Sequence, residues 1–395
     1  MGEIKPGWKR WRFDQIAQSV TERVDNPNKA GVEHYIGLEH LDSESLKIRR
    51  WGSPNDVSST KLLFEPGDTI FGRRRAYQRK LGVAEFRGIS SAHALVLRAK
   101  AGVALPEFLP FFMQSATFME RAVKISVGGL SPTINWKTLA KQEFALPPLE
   151  EQLRFLRVLK PALSTYEGLK DALEQAILLE KALVETYQRG NASARHPAVG
   201  AYDDRWKLKP VDSVLLDTQY GLSVAPKKSG AYPILRMMNI EEGWVVENDL
   251  KFVDLGEADY QRYLLSPGDV LFNRTNSIDL VGRTGVYGLD GEHVFASYLV
   301  RLKANPELVL PEYLCAFLNE AIGRRQVLSF ATKGVSQANV NAKNLRRVLL
   351  PLPPIEHQNR LVRALRDHAA GRGSLRARAS EAWSIIMAVL NGIAQ

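Results

Sequence analysis

The sequence predicts a mixed α/β (α+β) protein made of two copies of one unit in tandem, each copy ending in a long helix. Three observations carry this. The chain matches itself in four segments, taken in the same order at a nearly constant offset. Strand-length runs of Val, Ile, Leu, Tyr and Phe alternate with turn residues in both halves. A Leu-Pro-Pro turn closes each half and leads into a stretch whose apolar residues fall at helical spacing.

The internal match comes first, because a repeat decides the architecture. FALPPLEEQLRFLRVL (144–159) aligns with LPLPPIEHQNRLVRAL (350–365). Pro147, Pro148, Glu150 and Gln152 meet Pro353, Pro354, Glu356 and Gln358, each 206 residues on. Asn135 meets Asn341 at the same offset, within GGLSPTINWKTL and KGVSQANVNAKNL, and Gly129 and Ser131 meet Gly334 and Ser336 at 205. FEPGDTIFGRRR (64–75) meets LSPGDVLFNRTN (265–276) at 201. Even the openings agree, WKRWRFDQIAQSV against WKLKPVDSVLLDT.

Each unit opens on a Trp-Lys segment and continues in short strands: HYIGLEHL, KLLF, TIFG and HALVLRA in the first, YPILRMMNI, DVLFNR, GVYGL and SYLVRLKA in the second. Pro-Gly-Asp before a strand is turn chemistry: Pro presets φ, Gly takes positive φ, and Asp caps the backbone. One helix follows in each copy, LPEFLPFFMQSATFMERAV or LPEYLCAFLNEAIGRRQVL, then a Gly/Ser loop and the Leu-Pro-Pro turn, which neither helix nor central strand could cross.

Beyond each Pro-Pro turn the pattern is helical. The first stretch carries Leu149, Leu153, Leu156, Leu163, Tyr166, Leu173, Ile177 and Leu183; the second carries Ile355, Leu361, Leu365, Leu375, Ala379, Ala382, Ile386 and Val389. Pro161 predicts a kink or division in the first, and Gly371-Arg372-Gly373 a break in the second. Such faces most simply bury against each other, with the two helices antiparallel. RGNASARHPAVGAYDDR (189–205) reads as a linker. The boundaries are therefore 1–148, a helix over 149–190, a linker over 191–205, a second domain over 206–354, and a helix over 355–395.

Fifty-three Lys and Arg against 43 Asp and Glu give a net charge of +10, which points to a polyanionic partner such as nucleic acid. The one cysteine, Cys315, excludes an intramolecular disulfide and a thiolate metal cluster, and its helical context makes it a core residue. The start lacks the apolar region of a signal peptide, and no run of 18 apolar residues suits a membrane span; a soluble, cytoplasmic protein without membrane contact is expected.

These segments, in their order and duplication, resemble the specificity (S) subunit of type I restriction-modification systems over nearly the whole chain. The supporting runs are PGDTIFGRRRAYQRKLGVAEFRGISSAHALVL, GGLSPTINWKTLAKQEFALPPLEEQ, YPILRMMNIEEGWV, PGDVLFNRTNSIDLVGRTGVY and the second LPLPPIEHQ. The resemblance implies two target recognition domains, each followed by a spacer helix, with the helices paired as an antiparallel coiled coil of pseudo-twofold symmetry. It implies a double-stranded DNA partner with a bipartite, asymmetric target. Two methyltransferase (M) subunits would join to form an adenine-specific methylase, and motor-nuclease (R) subunits to form the endonuclease. It also implies a bacterial or archaeal, nucleoid-associated protein of phage defence. This chain would bind no cofactor, with S-adenosylmethionine, ATP and Mg2+ on the partner subunits.

The densest basic run is GRRRAYQRK, with Arg73, Arg74, Arg75, Arg79 and Lys80 around Tyr77 and no acid among them. Arg suits guanine edges and phosphates, so DNA contact is expected over a merely solvated turn. The matching loop of the second copy offers Asn273, Arg274, Asn276 and Arg283, richer in amides that pair with adenine edges. Lys124, Ser126 and Thr133 in one Gly/Ser loop, and Thr332, Lys333, Ser336, Gln337 and Asn339 in the other, suit phosphate or base contact and ordinary turn chemistry equally. Trp8, Trp11 and Trp206 could stack on bases; packing at domain edges is the simpler reading. His93, beside a strand, is expected in a structural role.

Catalytic constellations are missing from the sequence. It has no phosphate-binding Gly-rich motif, no GxGxxG and no Asn/Asp-Pro-Pro-aromatic motif for adenine methylation. Only EIK and DLK resemble an acid-x-Lys, and the seven histidines show no ligand spacing. A non-catalytic subunit is expected. The alternatives are a specificity subunit of a related DNA-modification system, or a self-sufficient methyltransferase or nuclease.

Overall fold

The computed structural model describes residues 5–334 and 337–394. The chain divides into two compact units, Met1–Leu173 with Gly373–Gln395, and Glu174–Arg372. Each long helix, Leu149–Arg189 and Ile355–Ala394, therefore contributes one part to each unit.

In the first unit the Trp-Lys opening forms a strand, Lys9–Arg12, antiparallel to Glu143–Leu146, the strand that runs into the Pro-Pro turn. A four-stranded antiparallel sheet follows in the order Ala17–Val20, Ala94–Ala99, Thr69–Gly72, Leu81–Val83. A second sheet orders Arg23–Val24, Lys61–Phe64, Gly88–Ser90 and Tyr35–Ile36. The second unit repeats the closing pair with Lys207–Pro210 antiparallel to Leu349–Leu352. Its main sheet places Leu215–Tyr220, Leu299–Ala304, Val270–Asn273 and Thr284–Val286 side by side, extended by Trp244–Val245 and Ile240–Glu241.

The single helix expected in each copy is two. Phe108–Gln114 and Ala116–Lys124 are separated by extended Ser115, whose hydroxyl accepts from the Phe118 amide and caps the second. Pro311–Asn319 and Ala321–Ser329 are separated by extended Glu320. Apolar spacing alone cannot see a one-residue turn that keeps the buried face in phase.

Local chemistry recurs between the units as the repeat requires. Gly67 and Gly268 take φ of +89° and +90°, and Asp68 and Asp269 accept from the Glu65 and Ser266 amides at 2.9 Å. Asn135 and Asn341 cap the short helices Trp136–Leu139 and Ala342–Leu345. Gln152 is fully buried; its Oε1 accepts from the Leu105 amide, and its Nε2 donates to the Val103 and Pro147 carbonyls. Gln358 repeats this with the Leu310 amide and the Leu308 and Pro353 carbonyls. A glutamine supplies an acceptor and two donors, so one side chain pins the Pro-Pro corner and the start of the preceding helical segment together.

The long helices enter the cores of both units. In the first unit Leu156, Leu159, Tyr166, Ala379, Trp383, Ile386 and Leu390 join a core built on Phe13, Phe71, Phe108, Phe112, Phe118 and Phe144, and Tyr166 lies 4.9 Å from Trp383 between ring centroids. In the second, Val184, Leu361 and Val362 join Val270, Phe272, Tyr313 and Phe317. There Tyr187 meets His357 while Glu180 meets His368 and Arg372, so contacts run in opposite chain directions. Of the residues expected to pair the helices, Leu153 is half exposed and is corrected: it follows buried Gln152 directly and so points about 100° around the helix from the face set by Gln152, Leu156 and Leu159. Leu149, Leu163, Leu173, Ile177, Ile355, Leu365 and Leu375 are only partly buried.

Three further expectations are corrected. The first helix is not divided at Pro161; proline and Arg157 both face solvent, so the carbonyl that proline leaves without a donor is open to water. The second runs unbroken through Gly371-Arg372-Gly373. Nothing lies within 4 Å of where a Cβ would stand on either glycine, while Arg372 between them is buried and ion-paired to Glu180 and Glu242, each at 2.9 Å. Those interactions offset the roughly 1 kcal/mol that each glycine costs a helix. The segment read as a linker folds as a hairpin, Ala194–His196 with Gly200–Tyr202. Asp203 fastens it by accepting from the Asn191 amide and from Arg205, and Val199 is fully buried. Gly190, at φ +53°, ends the helix beneath Trp206, whose ring would come within 2.7 Å of any Cβ there.

Cys315 is core, its thiol against the Thr284 carbonyl and pushed up to about 12, first by burial. Trp8 and Trp206 are buried, Trp8 donating to Glu151 and Trp206 packing on His357, and Trp11 packs against the first unit's core. No described helix is long and apolar enough to cross a membrane.

Candidate nucleic-acid interface

In the first unit the basic run leaves strand Thr69–Gly72 and is fixed on both sides. The Arg73 amide donates to the His93 carbonyl, and the Arg73 carbonyl accepts from the Ile134 amide at 2.8 Å. Arg74 bridges Thr133, the Arg75 amide donates to the Pro132 carbonyl, and the Arg75 guanidinium reaches the Ser131 hydroxyl at 3.2–3.3 Å. Val127 and Thr133 exchange hydrogen bonds, closing residues 127–133 into a small hairpin laid against the basic run. Arg75 and Arg79 both take left-handed backbone, at φ of 56° and 52°, around the turn Ala76–Gln78. A non-glycine residue adopts that region only where its surroundings impose it, and here buried Ala76 anchors the turn.

The fold thus joins two loops that lie some fifty residues apart in the chain. It leaves Arg74, Arg75, Tyr77 and Lys124 exposed together with His93, and Arg73 half-buried. Two expected contacts are corrected. The Arg79 guanidinium donates to the Gln114 carbonyl, and burial pulls it below its ordinary pKa. The Lys80 ammonium donates to the Leu38 carbonyl at 2.8 Å. Both cations satisfy backbone groups of their own unit. Ser126 and Thr133 spend their hydroxyls on the Ala122 and Ser131 carbonyls, the turn-chemistry half of the reading given to them.

The second unit makes the same junction. The Arg274 carbonyl accepts from the Val340 amide at 2.9 Å, in the place of the Arg73–Ile134 bond. Thr275–Asn276 pairs with Ala338–Asn339, which pairs in turn with Thr332–Lys333. The Arg274 guanidinium reaches Asn339 Oδ1 at 3.3 Å and the Ser297 carbonyl, and lies 4.8 Å from the Tyr220 ring centroid. Asn273 is corrected: it is fully buried, and its amide donates to the Leu280 carbonyl. The Asn276 amide faces Met237 Sδ and its oxygen caps Ser277, leaving it half-buried. Arg283 and Gln337 are exposed. Ser336 and the side chain of Lys333 lie outside the described residues.

Arg283 also borders a cavity of about 620 Å³ lined by Glu180, Glu242, Glu320, Arg324 and Arg372. Burial raises Glu180 and Glu320 above the usual carboxylate range. Arg324 donates to the Val281 and Asp279 carbonyls and so holds the loop ahead of Arg283. Tyr220 and Tyr298, both nearly half exposed beside Arg274, went unremarked in sequence. Nothing local marks them, since only strand pairing brings them to that arginine. Among the described residues no group of three or more His, Cys, Asp or Glu is placed to hold a metal ion.

Each of the two strand-rich units thus offers a joined pair of basic and amide-bearing loops, side chains of the kind that suit phosphates and base edges. Residues 219–377 match the model of the type I restriction modification DNA specificity domain. The chain is 25% identical over 358 residues to the type I restriction enzyme EcoKI specificity subunit of Escherichia coli (strain K12), covering 82% of this chain and 76% of that one. It is 26% identical over 190 residues to the putative type I restriction enzyme MjaX specificity subunit of Methanocaldococcus jannaschii, 47% of this chain and 44% of that one. Over most of its length the chain is thus similar to a specificity subunit of a type I restriction-modification system.

Two solved structures share the fold. The type I restriction-modification S subunit from M. genitalium aligns over 100% of this chain and 97% of its own at a TM-score of 0.57 and 10% identity. A chain from a study of complex assembly and conformational transition of the type I R-M system aligns over 100% and 99% at 0.54 and 20%.

Proposed function

We propose that this chain reads a bipartite, asymmetric double-stranded DNA target with two target recognition domains, residues 1–148 and 206–354. The helices 149–190 and 355–395 set the distance between the two. One observation carries the reading: the same loop junction, closed by the same amide-to-carbonyl bond at Arg73 and at Arg274, presents different side chains in the two units. A shared frame with different readers is what two half-targets of different sequence require. The opposed chain directions of the helix contacts support an antiparallel coiled coil of pseudo-twofold symmetry, with residues 191–205 a folded connection between the copies.

On this reading the chain is not itself a catalyst. It recruits two methyltransferase (M) subunits for adenine methylation and restriction (R) subunits for cleavage, with S-adenosylmethionine, ATP and Mg2+ on those partners, in the cytoplasm where the DNA lies. The rival, a self-sufficient methyltransferase, is tested by incubating the pure chain with labelled S-adenosylmethionine and DNA; incorporated label would overturn the reading.

The Arg74→Ala, Arg75→Ala double variant tests the interface. Two lost phosphate contacts should weaken binding to any DNA and flatten the slope of log affinity against log salt by about 2. Fluorescence anisotropy across a salt series checks it, and an unchanged slope would remove this loop from the DNA face.

A further inference from the structure

The hairpin that lies on the basic run has an apolar tip. Leu130 is 97% exposed and Val127 70%, the two most exposed large hydrophobic side chains described. Single exposed leucines are common on soluble proteins. This one differs in its setting. Gly128, at φ +111°, and Gly129 form the turn, so the tip is narrow and nothing shields Leu130. The base is rigid, held by the Val127–Thr133 pair, the Arg74–Thr133 bridge and the Arg75–Ser131 hydrogen bonds. Exposed Arg74 and Arg75 stand on the loop against which the hairpin lies, and exposed Lys124 ends the helix that leads into it.

Cations beside a projecting apolar side chain divide the work of contacting a duplex. The guanidiniums and ammonium meet phosphates, which hold the loop at a groove but carry no sequence information. Leu130 has no hydrogen-bonding atom and can meet only an apolar group. On the edges of B-DNA base pairs that group is the thymine C5 methyl in the major groove.

We propose that Leu130 is a specificity-determining residue of the first unit, contacting a thymine methyl at the floor of the major groove. The proposal rests on the DNA-reading function above and assigns that site a base-reading residue. The second repeat has Val335 at the matching place in sequence, again apolar between Gly334 and Ser336.

The test uses the full chain with its methyltransferase partners, on the target found by sequencing methylated adenines. Each thymine of the target is replaced in turn by uracil, which removes only the methyl, and affinity is measured for the wild type and Leu130→Ala. The wild type should lose about fourfold at one thymine, the worth of one buried methyl. Leu130→Ala should bind the unmodified target more weakly, with an unchanged salt slope, and should be indifferent to uracil at that thymine. A uracil profile for Leu130→Ala identical to that of the wild type overturns the proposal. So does 2-aminopurine fluorescence showing Leu130-dependent unstacking without methyl sensitivity, which would make the tip a wedge between base pairs. The Arg74→Ala, Arg75→Ala variant runs in parallel: if its salt slope is also unchanged, the placement of the interface itself fails, whereas a flattened slope beside an unchanged uracil profile rejects Leu130 alone.

Discussion

Replacing Gln358 by leucine should lower the stability of the second unit by about 3–5 kcal/mol, the lower part of the range for three buried groups that each lose a partner at roughly 1–3 kcal/mol. Leucine has nearly the same reach but can neither accept from the Leu310 amide nor donate to the Leu308 and Pro353 carbonyls. All three bonds are 2.9–3.0 Å long, and the Gln358 side chain is inaccessible to water. Their loss frees the Pro-Pro corner from which the second long helix starts, so the helix should fray from its N-terminal end. Denaturant unfolding gives the magnitude, and hydrogen exchange of the Leu310 amide locates it. A loss below about 1 kcal/mol with unchanged Leu310 protection would show that water replaces the glutamine. Gln152→Leu should act in the same way on the first unit, because its partners are equivalent.

Arg372→Ala should cost about 3 kcal/mol, near the lower end for breaking a buried ion pair from one side. The guanidinium, flanked by two glycines, joins Glu180 of the first long helix to Glu242 of the strand-rich domain. Without it Glu180 stays in a half-buried site with the His368 ring still beside it and Glu242 opposing it. The pH dependence follows from the sign of the shift. Burial already raises the Glu180 carboxyl above its ordinary value, and Arg372 opposes that rise. Its removal raises the carboxyl further. A carboxyl raised on folding favours the native state while protonated, and that contribution is lost as pH climbs through the folded value. The deficit should therefore be small below the ordinary glutamate range and grow towards neutrality. Urea unfolding of both proteins across that interval checks it, and a deficit independent of pH would place the cost in packing rather than in the charge.

Much of this architecture was legible in advance because it is written in short-range chemistry. Pro-Gly-Asp is a turn wherever it falls, and Asn135 and Asn341 cap the helices that follow them. The constant offset from Asn135 to Gln152 survives because one corner geometry needs the same donors and acceptors twice. The errors share a cause. Arg79, Lys80 and Asn273 are a cation or an amide in a loop by sequence; whether each faces solvent or a nearby carbonyl depends on where distant chain passes, here Gln114, Leu38 and Leu280. The glycines around Arg372 signal a break locally, and only Glu180 and Glu242, more than a hundred residues away, supply what holds the helix through them.

The sequence by itself therefore determined that this protein is a duplicated α/β chain with a long helix after each copy, and that its basic loops carry charge suited to a polyanion. Periodicity, turn residues and charge act within a few residues of one another. Tertiary structure alone decided which of those loops meet. The Arg73–Ile134 and Arg274–Val340 bonds join segments some sixty residues apart and set Arg74, Arg75 and Leu130 on one hairpin-braced surface. Such a surface is made by strand pairing across the chain, which no local pattern encodes.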